Sequence, residues 1–216
     1  VDLGGRRIIK KETGSDELIG AVLPGQYRVA AELGRGNFGV IYRAHHELMD
    51  RDVAIKVLPA RLDVEASRRF ALEIRTVCKL NHRNVVRVLH SDVTRDGRMF
   101  VAMELLDGPT LQEVIARGAA APAAALEVTR QLLAGLAAAH DSGFVHADVK
   151  PANVILVEEE EDAPRVVLLD FGFSCLRAER SVGGTPAFMP PEQYRGDRIE
   201  ASADVYAAAL AALRRA

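Results

Sequence analysis

The apolar pattern of the chain changes from strand-like to helical along its length, and this change limits the folds open to it. Residues 26–58 contain short apolar alternations separated by turn residues, which is typical of β-strands. Two further strands are predicted at Val85–Ser91 and Arg98–Leu105, joined by a tight turn. Between these sets of strands, Asp63–Leu80 carries an apolar stripe at helical spacing. The first half therefore predicts an antiparallel sheet with one helix.

The second half of the chain is mostly helical. Helices are predicted at Thr110–Arg117, Pro122–Ser142 and Ala203–Arg214. Two short strands, Val154–Val157 and Val166–Leu169, are joined by an acidic run that we interpret as the solvated tip of a hairpin. The predicted fold class is α+β, with a β-rich lobe followed by a mainly helical lobe.

These patterns divide the 216 residues into three segments. Residues 1–24 are predicted to be a flexible lead-in, with a short edge element as the alternative for residues 1–20, because residues 1–20 mix glycines and charges with only scattered apolar residues. Residues 25–105 form the predicted N-terminal lobe, and residues 106–216 form the predicted C-terminal lobe.

The composition excludes several classes of function. The formal net charge is −2, which offers no basic surface for nucleic acid. No apolar run approaches the roughly 18–20 residues of a membrane-spanning helix. The chain has two cysteines, Cys78 and Cys175, so we expect a reducing compartment and no disulfide framework. The expected location is the cytoplasm, for this chain alone or as the cytoplasmic part of a longer one.

A glycine-rich run occupies residues 34–39, with glycines at Gly34, Gly36 and Gly39. The same spacing occurs in dinucleotide-binding folds, where it lies between a strand and a helix. Here both flanking segments have strand patterns, so the run predicts a hairpin. Because glycine has no Cβ, the backbone N–H groups of such a hairpin can approach phosphate oxygens closely.

A lysine, Lys56, interrupts an otherwise apolar strand. Burying an ammonium group costs free energy unless an anion meets it. One interpretation gives Lys56 a phosphate and a carboxylate as partners, with Glu73 as the candidate carboxylate and Glu65 as its rival. The other interpretation is an edge lysine whose ammonium group reaches solvent.

The strongest signal is a polar loop that precedes the strand Val154–Val157. Asp148, Lys150 and Asn153 stand close together in this loop, and Asp170 follows the next apolar strand. A carboxylate can accept a hydroxyl proton here, and an ammonium group can neutralise a transferring phosphoryl group. The oxygens of Asn153 and Asp170 are of the kind that magnesium binds. The motifs together predict a phosphoryl-transfer site.

From about Tyr27 to its last residue, the sequence resembles the eukaryotic-type protein kinases, and the bacterial serine/threonine kinases in particular. The resemblance implies a two-lobed protein-kinase-like fold, with an antiparallel β-sheet and one helix in the N-terminal lobe and an incomplete, mainly helical C-terminal lobe. It also implies ATP as a ligand, with Mg²⁺ or Mn²⁺ as the metal ion.

The resemblance assigns many of these residues to an ATP site. The glycine-rich run would cover the phosphates, apolar side chains would enclose the adenine ring, and the backbone after Met103 would hydrogen-bond it. The implied ATP-binding residues are Gly34, Arg35, Gly36, Asn37, Phe38, Gly39, Ile41, Ala54, Lys56, Met103, Glu104, Leu106 and Ile155.

The same resemblance assigns the catalytic roles. Asp148 would be the base, Lys150 would contact the γ-phosphate, and Lys56 would bind the α- and β-phosphates. The implied catalytic residues are Asp148, Lys150, Lys56 and Glu73, and the implied metal ligands are Asn153 and Asp170.

The segment Gly184–Glu192 resembles the end of the kinase activation segment. Thr185, taken together with the lysine two residues after Asp148, is similar to serine/threonine rather than tyrosine kinases. Asp204 matches the helix residue that anchors the catalytic loop. One departure is Ala147, which stands where the family has arginine, so a phosphate on the activation segment should gain little from this position.

The leading hypothesis is a serine/threonine protein kinase that transfers the γ-phosphate of ATP to hydroxyl groups of a protein substrate. The alternative is a nucleotide-binding scaffold fragment without turnover, because the family continues with several helices beyond the position of Ala216. A small-molecule kinase of similar fold is disfavoured by the segment Gly184–Glu192, which such enzymes generally lack.

Overall fold

The computed structural model describes most of the chain. The described residues are 18–36, 39–59, 74, 78, 80–118, 122–159, 164–170, 175–176 and 183–213.

Within the described residues, an antiparallel sheet of six strands forms the N-terminal lobe. The strands are β1 (Val22–Leu23), β2 (Tyr27–Gly36), β3 (Gly39–His46), β4 (Arg51–Val57), β5 (Val88–Val93) and β6 (Met99–Glu104). Their order across the sheet is β1-β2-β3-β4-β6-β5, and every neighbouring pair is antiparallel. The predicted sheet is thereby confirmed, including the tight turn between β5 and β6.

One face of this sheet forms the core of the lobe. Tyr42 on β3, Ile55 on β4 and Phe100 on β6 are completely buried on that face. Since strand side chains alternate between faces, the residues between them project to the opposite face. Burying one large apolar side chain stabilises the fold by about 1.5–3 kcal/mol. The sheet therefore has a firmly packed side and a second side that is left for other contacts.

The start of the N-terminal lobe lies earlier than predicted. Leu18 and Leu23 are buried in its core, and β1 pairs with β2. Residues 18–23 therefore belong to the lobe, with β1 as a short strand at the edge of its sheet, because Leu18 and Leu23 pack in the same core cluster as Tyr27. Residues 1–17 lie outside the described part of the chain, as does most of the predicted helix Asp63–Leu80.

The C-terminal lobe is built mainly from helices. These are α1 (Leu111–Ala116), α2 (Pro122–Asp141), α3 (Pro191–Tyr194) and α4 (Ala201–Leu213). In the described part of this lobe four short strands accompany them: β7 (Phe144–Val145), β8 (Val154–Val157), β9 (Arg165–Leu168) and β10 (Cys175–Leu176). Strand β8 pairs with β9, and β7 pairs with β10.

Capping and close packing explain the helices of this lobe. Thr110 and Glu113 form a capping box at the start of α1, which satisfies two backbone N–H groups. The alanine-rich face of α4 packs against α2, and Ala208 and Ala211 on α4 are fully buried. Small side chains allow the two helices to approach closely. None of the helices within the described residues has both the length and the apolar character of a membrane span.

Backbone hydrogen bonds join the two lobes beside β9. The backbone N–H of Val86, just before β5, donates to the carbonyl of Leu168 at 3.0 Å, and the N–H of Leu168 donates to the carbonyl of Asn84 at 2.9 Å. The Asn84 side chain is buried and donates to Gln131 on α2 and to the carbonyl of Val166. These bonds fix the N-terminal lobe over the ends of β8 and β9.

Candidate active site

The free face of the N-terminal sheet carries several of the predicted ATP-binding residues. In the strand register Ile41 lies opposite Lys56, and Ala54 lies opposite Met103. Directly opposed residues project to the same face, so these four side chains share the face that points away from the core of the lobe. Ala54 and Lys56 are buried, whereas Ile41 and Met103 are half-buried. The face is thus apolar around one ammonium group.

The glycine-rich run forms the hairpin between β2 and β3. Gly34, Arg35 and Gly36 end β2, and Gly36 pairs with Gly39 across the hairpin. Gly39 has φ +116°, and a Cβ there would lie 2.0 Å from the backbone oxygen of Val57, so only glycine fits. Asn37 and Phe38, at the tip, lie outside the described residues.

Lys56 and Asp170 connect the two lobes. The ammonium group of Lys56 donates a hydrogen bond to Oδ1 of Asp170, 114 residues further along the chain. The Lys56 side chain is 9% exposed and the Asp170 side chain 32%. Asp170 has φ +56°, a left-handed conformation two residues after Leu168, the end of β9. The edge-lysine interpretation is therefore wrong, because the ammonium group is buried against a carboxylate.

A second charged cluster surrounds Asp148. Its carboxylate accepts a hydrogen bond from the Lys150 ammonium group at 2.6 Å and one from the Thr185 hydroxyl at 2.7 Å. Lys150 also donates to the Thr185 oxygen at 2.8 Å. Asp148 is only 5% exposed. A carboxylate, a cation and a hydroxyl thus meet at one point, although they come from two segments of the chain.

Asn153 ties this cluster to Asp170. Its side-chain nitrogen donates to the backbone oxygen of Asp148 at 2.9 Å and to Oδ2 of Asp148 at 3.2 Å. Its backbone carbonyl accepts from the N–H of Leu169 at 2.8 Å, next to Asp170. Both amide protons are therefore directed at Asp148, so the atom of this side chain that could hold a cation is the amide oxygen Oδ1.

Asp204 on α4 holds the loop that carries Asp148. Its carboxylate accepts from the backbone N–H of His146 at 2.8 Å and from that of Ala147 at 2.9 Å. Nε2 of His140 on α2 lies 2.8 Å from the same carboxylate. Asp204 is 1% exposed, and Ala147 has φ +64°. The buried carboxylate thus holds a left-handed turn directly before Asp148.

The protein kinase domain family matches residues 27–214 of the chain. This chain belongs to that family. The match begins at β2 and extends through α4, so it includes both lobes and every residue of the two charged clusters.

Similar proteins fit this assignment. The chain is 40% identical over 201 residues to serine/threonine-protein kinase PknL of Mycobacterium bovis, covering 88% of this chain and 49% of the relative. It is 32% identical over 206 residues to serine/threonine-protein kinase pkn3 of Myxococcus xanthus, covering 89% and 38%. The chain thus spans about half the length, or less, of these curated relatives.

A solved kinase structure has the same fold. The kinase domain of PknI from Mycobacterium tuberculosis superposes with a TM-score of 0.74 at 28% sequence identity. The alignment covers 90% of this chain and 75% of that one. The predicted two-lobed protein-kinase fold is therefore confirmed.

The remaining predicted site residues that the structure describes lie on β8, on the segment after β6 and in α3. Strand β8 carries Ile155, whose backbone bridges to Thr110, and the half-buried Leu106 follows β6 on the segment between the lobes. Glu192, the last residue of the segment that resembles the end of the activation segment, lies in α3. Its backbone carbonyl accepts from the N–H of Asp197, so this bond lies outside the cluster around Asp148. Glu73 and its rival Glu65 lie outside the described residues.

Two residues of the kinase site were not predicted as parts of it. His140 on α2 belongs to none of the motifs identified in the sequence, and it contacts Asp204. Gln193 received no role, yet its buried amide donates to two backbone carbonyls. Residues 174–201 have no regular apolar period, so the sequence held no signal for a buried glutamine.

Proposed function

We propose that this kinase domain transfers the γ-phosphoryl group of ATP to serine or threonine hydroxyls of a protein. The observation that carries the proposal is the buried cluster of Asp148, Lys150 and Thr185, next to the Lys56–Asp170 pair. These residues present a carboxylate and two ammonium groups around a single region, as the transfer of a highly charged group to an oxygen requires. The names of the similar kinases support the same reaction.

The free face of the N-terminal sheet is the proposed nucleotide site. Ile41, Ala54 and Met103 give this face its apolar character, and the kinase resemblance implies that Ile41, Ala54 and Ile155 on β8 enclose the adenine ring. The ammonium group of Lys56 is then placed for the α- and β-phosphates. Gly34 and Gly36 have open space where a Cβ would stand, so their backbone can approach the phosphates.

Asp148 is the proposed base for the substrate hydroxyl. Its carboxylate is held by Lys150 and Thr185, so its direction is fixed before a substrate arrives. In the transfer, the substrate oxygen bonds to the γ-phosphorus, the bond from that phosphorus to the β–γ bridging oxygen breaks, and the hydroxyl proton passes to Asp148. Lys150 is placed to neutralise charge on the transferring group.

A divalent cation, with Mg²⁺ as our proposal, fits the oxygens of this site. Because both amide protons of Asn153 are directed at Asp148, its Oδ1 oxygen is oriented as a ligand, and the carboxylate of Asp170 is the second one. Hard oxygen donors that are few in number suit Mg²⁺, which keeps phosphate oxygens and waters as further ligands. When bound, such an ion would neutralise negative charge on the phosphates.

The proposal is tested by labelled phosphate transfer. The purified protein, γ-labelled ATP, Mg²⁺ and a generic protein substrate should yield labelled phosphoserine or phosphothreonine. The Asp170→Asn variant should lose transfer at least 100-fold while remaining folded, because Asp170 positions charge and does not fill the core. Transfer by Asp170→Asn at the unmodified rate would contradict its role as a metal ligand. No transfer by the unmodified protein would favour a nucleotide-binding module without turnover.

A further inference from the structure

Gln193 lies in α3, and its side-chain amide connects two other parts of the chain. The residue is 6% exposed. Its Nε2 nitrogen donates to the backbone carbonyl of Ala147 at 2.7 Å and to that of Gly183, also at 2.7 Å. An amide nitrogen carries two protons, so both are used. Each of the two carbonyls belongs to a segment that reaches the cluster around Asp148.

The first of these segments is the catalytic loop, the loop before β8 that carries Asp148, Lys150 and Asn153. Ala147, directly before Asp148, has its backbone N–H bonded to Asp204 and its backbone carbonyl bonded to Gln193. Its left-handed conformation, with φ +64°, is uncommon for alanine and persists only when neighbouring groups impose it. Side chains from α3 and α4 therefore hold this residue from both sides. The alanine side chain itself has no donor and no charge to offer the activation segment.

The second segment runs from Gly183 into Gly184–Glu192, which resembles the end of the kinase activation segment. Gly183 stands two residues before Thr185, whose hydroxyl donates to Asp148. Between them, Gly184 has φ +129°, and a Cβ there would lie 2.8 Å from both the Ala147 oxygen and the Gln193 nitrogen. The backbone is thus packed directly against the Gln193 amide and the catalytic loop. Only glycine permits this approach.

We propose that Gln193 is a positioning residue that fastens the activation segment to the catalytic loop without a phosphate. By holding Gly183, it fixes Thr185 against Asp148, and by holding Ala147, it fixes the loop on which Asp148 stands. It acts through these groups and does not touch the reacting atoms. The expected effect of Gln193 on catalysis rests on the proposed kinase function. Its expected effect on the order of the activation segment rests on the geometry alone.

A buried glutamine could also serve folding alone, and Gln131 provides the matched control. Gln131 on α2 is likewise 6% exposed, and its Nε2 nitrogen donates to Glu127 and to the backbone carbonyl of Pro164. Its Oε1 oxygen accepts from Asn84 and from the N–H of Val166. It bonds to the β8–β9 hairpin and not to the activation segment. Loss of either glutamine should therefore destabilise the fold, but only Gln193 should affect catalysis specifically.

The experiment compares Gln193→Glu and Gln193→Met with Gln131→Glu and Gln131→Met. A carboxylate or a thioether at 193 supplies no proton to the two carbonyls. We expect both Gln193 variants to lower kcat/KM for the protein substrate at least tenfold, while the Kd of an ATP analogue stays within twofold. Hydrogen exchange of the peptide 183–190 should accelerate in the same variants. Both Gln131 variants should keep kcat/KM within threefold and leave exchange of that peptide unchanged.

A phosphatase arm tests whether the arrangement needs phosphate. Phosphatase treatment of the unmodified protein should leave its activity within threefold, and a tenfold drop would overturn the proposal. Unchanged kinetics in the Gln193 variants would also overturn the proposal, as would a loss of nucleotide binding in proportion to the loss of turnover. A third contradicting result is that both Gln193 variants fail to fold while both Gln131 variants fold. If the unmodified protein transfers no phosphate, the proposed function fails, and hydrogen exchange alone decides the role of Gln193.

Discussion

Replacing Asp204 by asparagine should destabilise the protein strongly, although the two side chains have the same shape. The carboxylate is 1% exposed and accepts from His146 and Ala147 through different oxygens. Asparagine has one acceptor oxygen, so one of these backbone N–H groups must face the amide nitrogen. A buried donor left without a partner costs about 1–3 kcal/mol, and the remaining bond loses its charge-assisted part, about 1 kcal/mol.

The expected total for Asp204→Asn is about 2–4 kcal/mol, which for a chain of this length lowers Tm by about 4–16 °C. Thermal unfolding followed by circular dichroism measures this shift. Asp197→Asn is the control, because Asp197 is an exposed partner of Arg195 and its loss should cost less than about 0.5 kcal/mol. A Tm for Asp204→Asn within about 2 °C of the unmodified protein would refute the reasoning.

Two further predictions concern the N-terminal lobe. In denaturant titrations, Gly39→Ala should lower the free energy of unfolding by more than about 2 kcal/mol, because the added Cβ would overlap a backbone oxygen at a residue with positive φ. The control Gly36→Ala should lower it by less than about 1 kcal/mol, because a Cβ at residue 36 meets nothing within 4 Å. The hydrogen bond and charge of Arg98 and the hydroxyl of Thr94 lower the pKa of Asp96 to about 2. The ionised Asp96 therefore stabilises the fold by less than about 1 kcal/mol after solvent screening, fully above pH about 4 and progressively less towards pH 2. If the free energy of unfolding of Asp96→Asn fell with pH as much as that of the unmodified protein, this prediction would be contradicted.

Secondary structure was largely predictable, because most elements are long enough to show a period. The predicted strand Val154–Val157 has those bounds in the structure, and the predicted helix Pro122–Ser142 ends one residue earlier. The two-residue strands β7 and β10 were not predicted, since two residues cannot establish an alternation. The short helix α3 was missed for the same reason, in a stretch rich in proline.

The site was predictable where the chemistry resides in charged side chains at short spacing. Asp148, Lys150 and Asn153 form a cluster as their spacing in one loop indicates. The carboxylate found on Lys56 was not predicted, because Asp170 lies 114 residues away and no local pattern connects the two. The contacts of Gln193 with backbone carbonyls leave no trace in the sequence, because any residue provides a carbonyl.

The central claim, that Asp148 accepts the proton of the substrate hydroxyl, is tested most directly by one comparison. Single-turnover phosphate transfer from ATP to a protein substrate is measured for the unmodified protein and for Asp148→Asn, with the Kd of the nucleotide determined in parallel. Asparagine can accept the Lys150 hydrogen bond through its one oxygen and can donate an amide proton to the Thr185 oxygen, but it cannot take up the substrate proton. We expect the transfer rate to fall by about 10²–10⁴-fold while Kd stays within twofold. Equal transfer rates for the two proteins would contradict the assignment of Asp148 as the base.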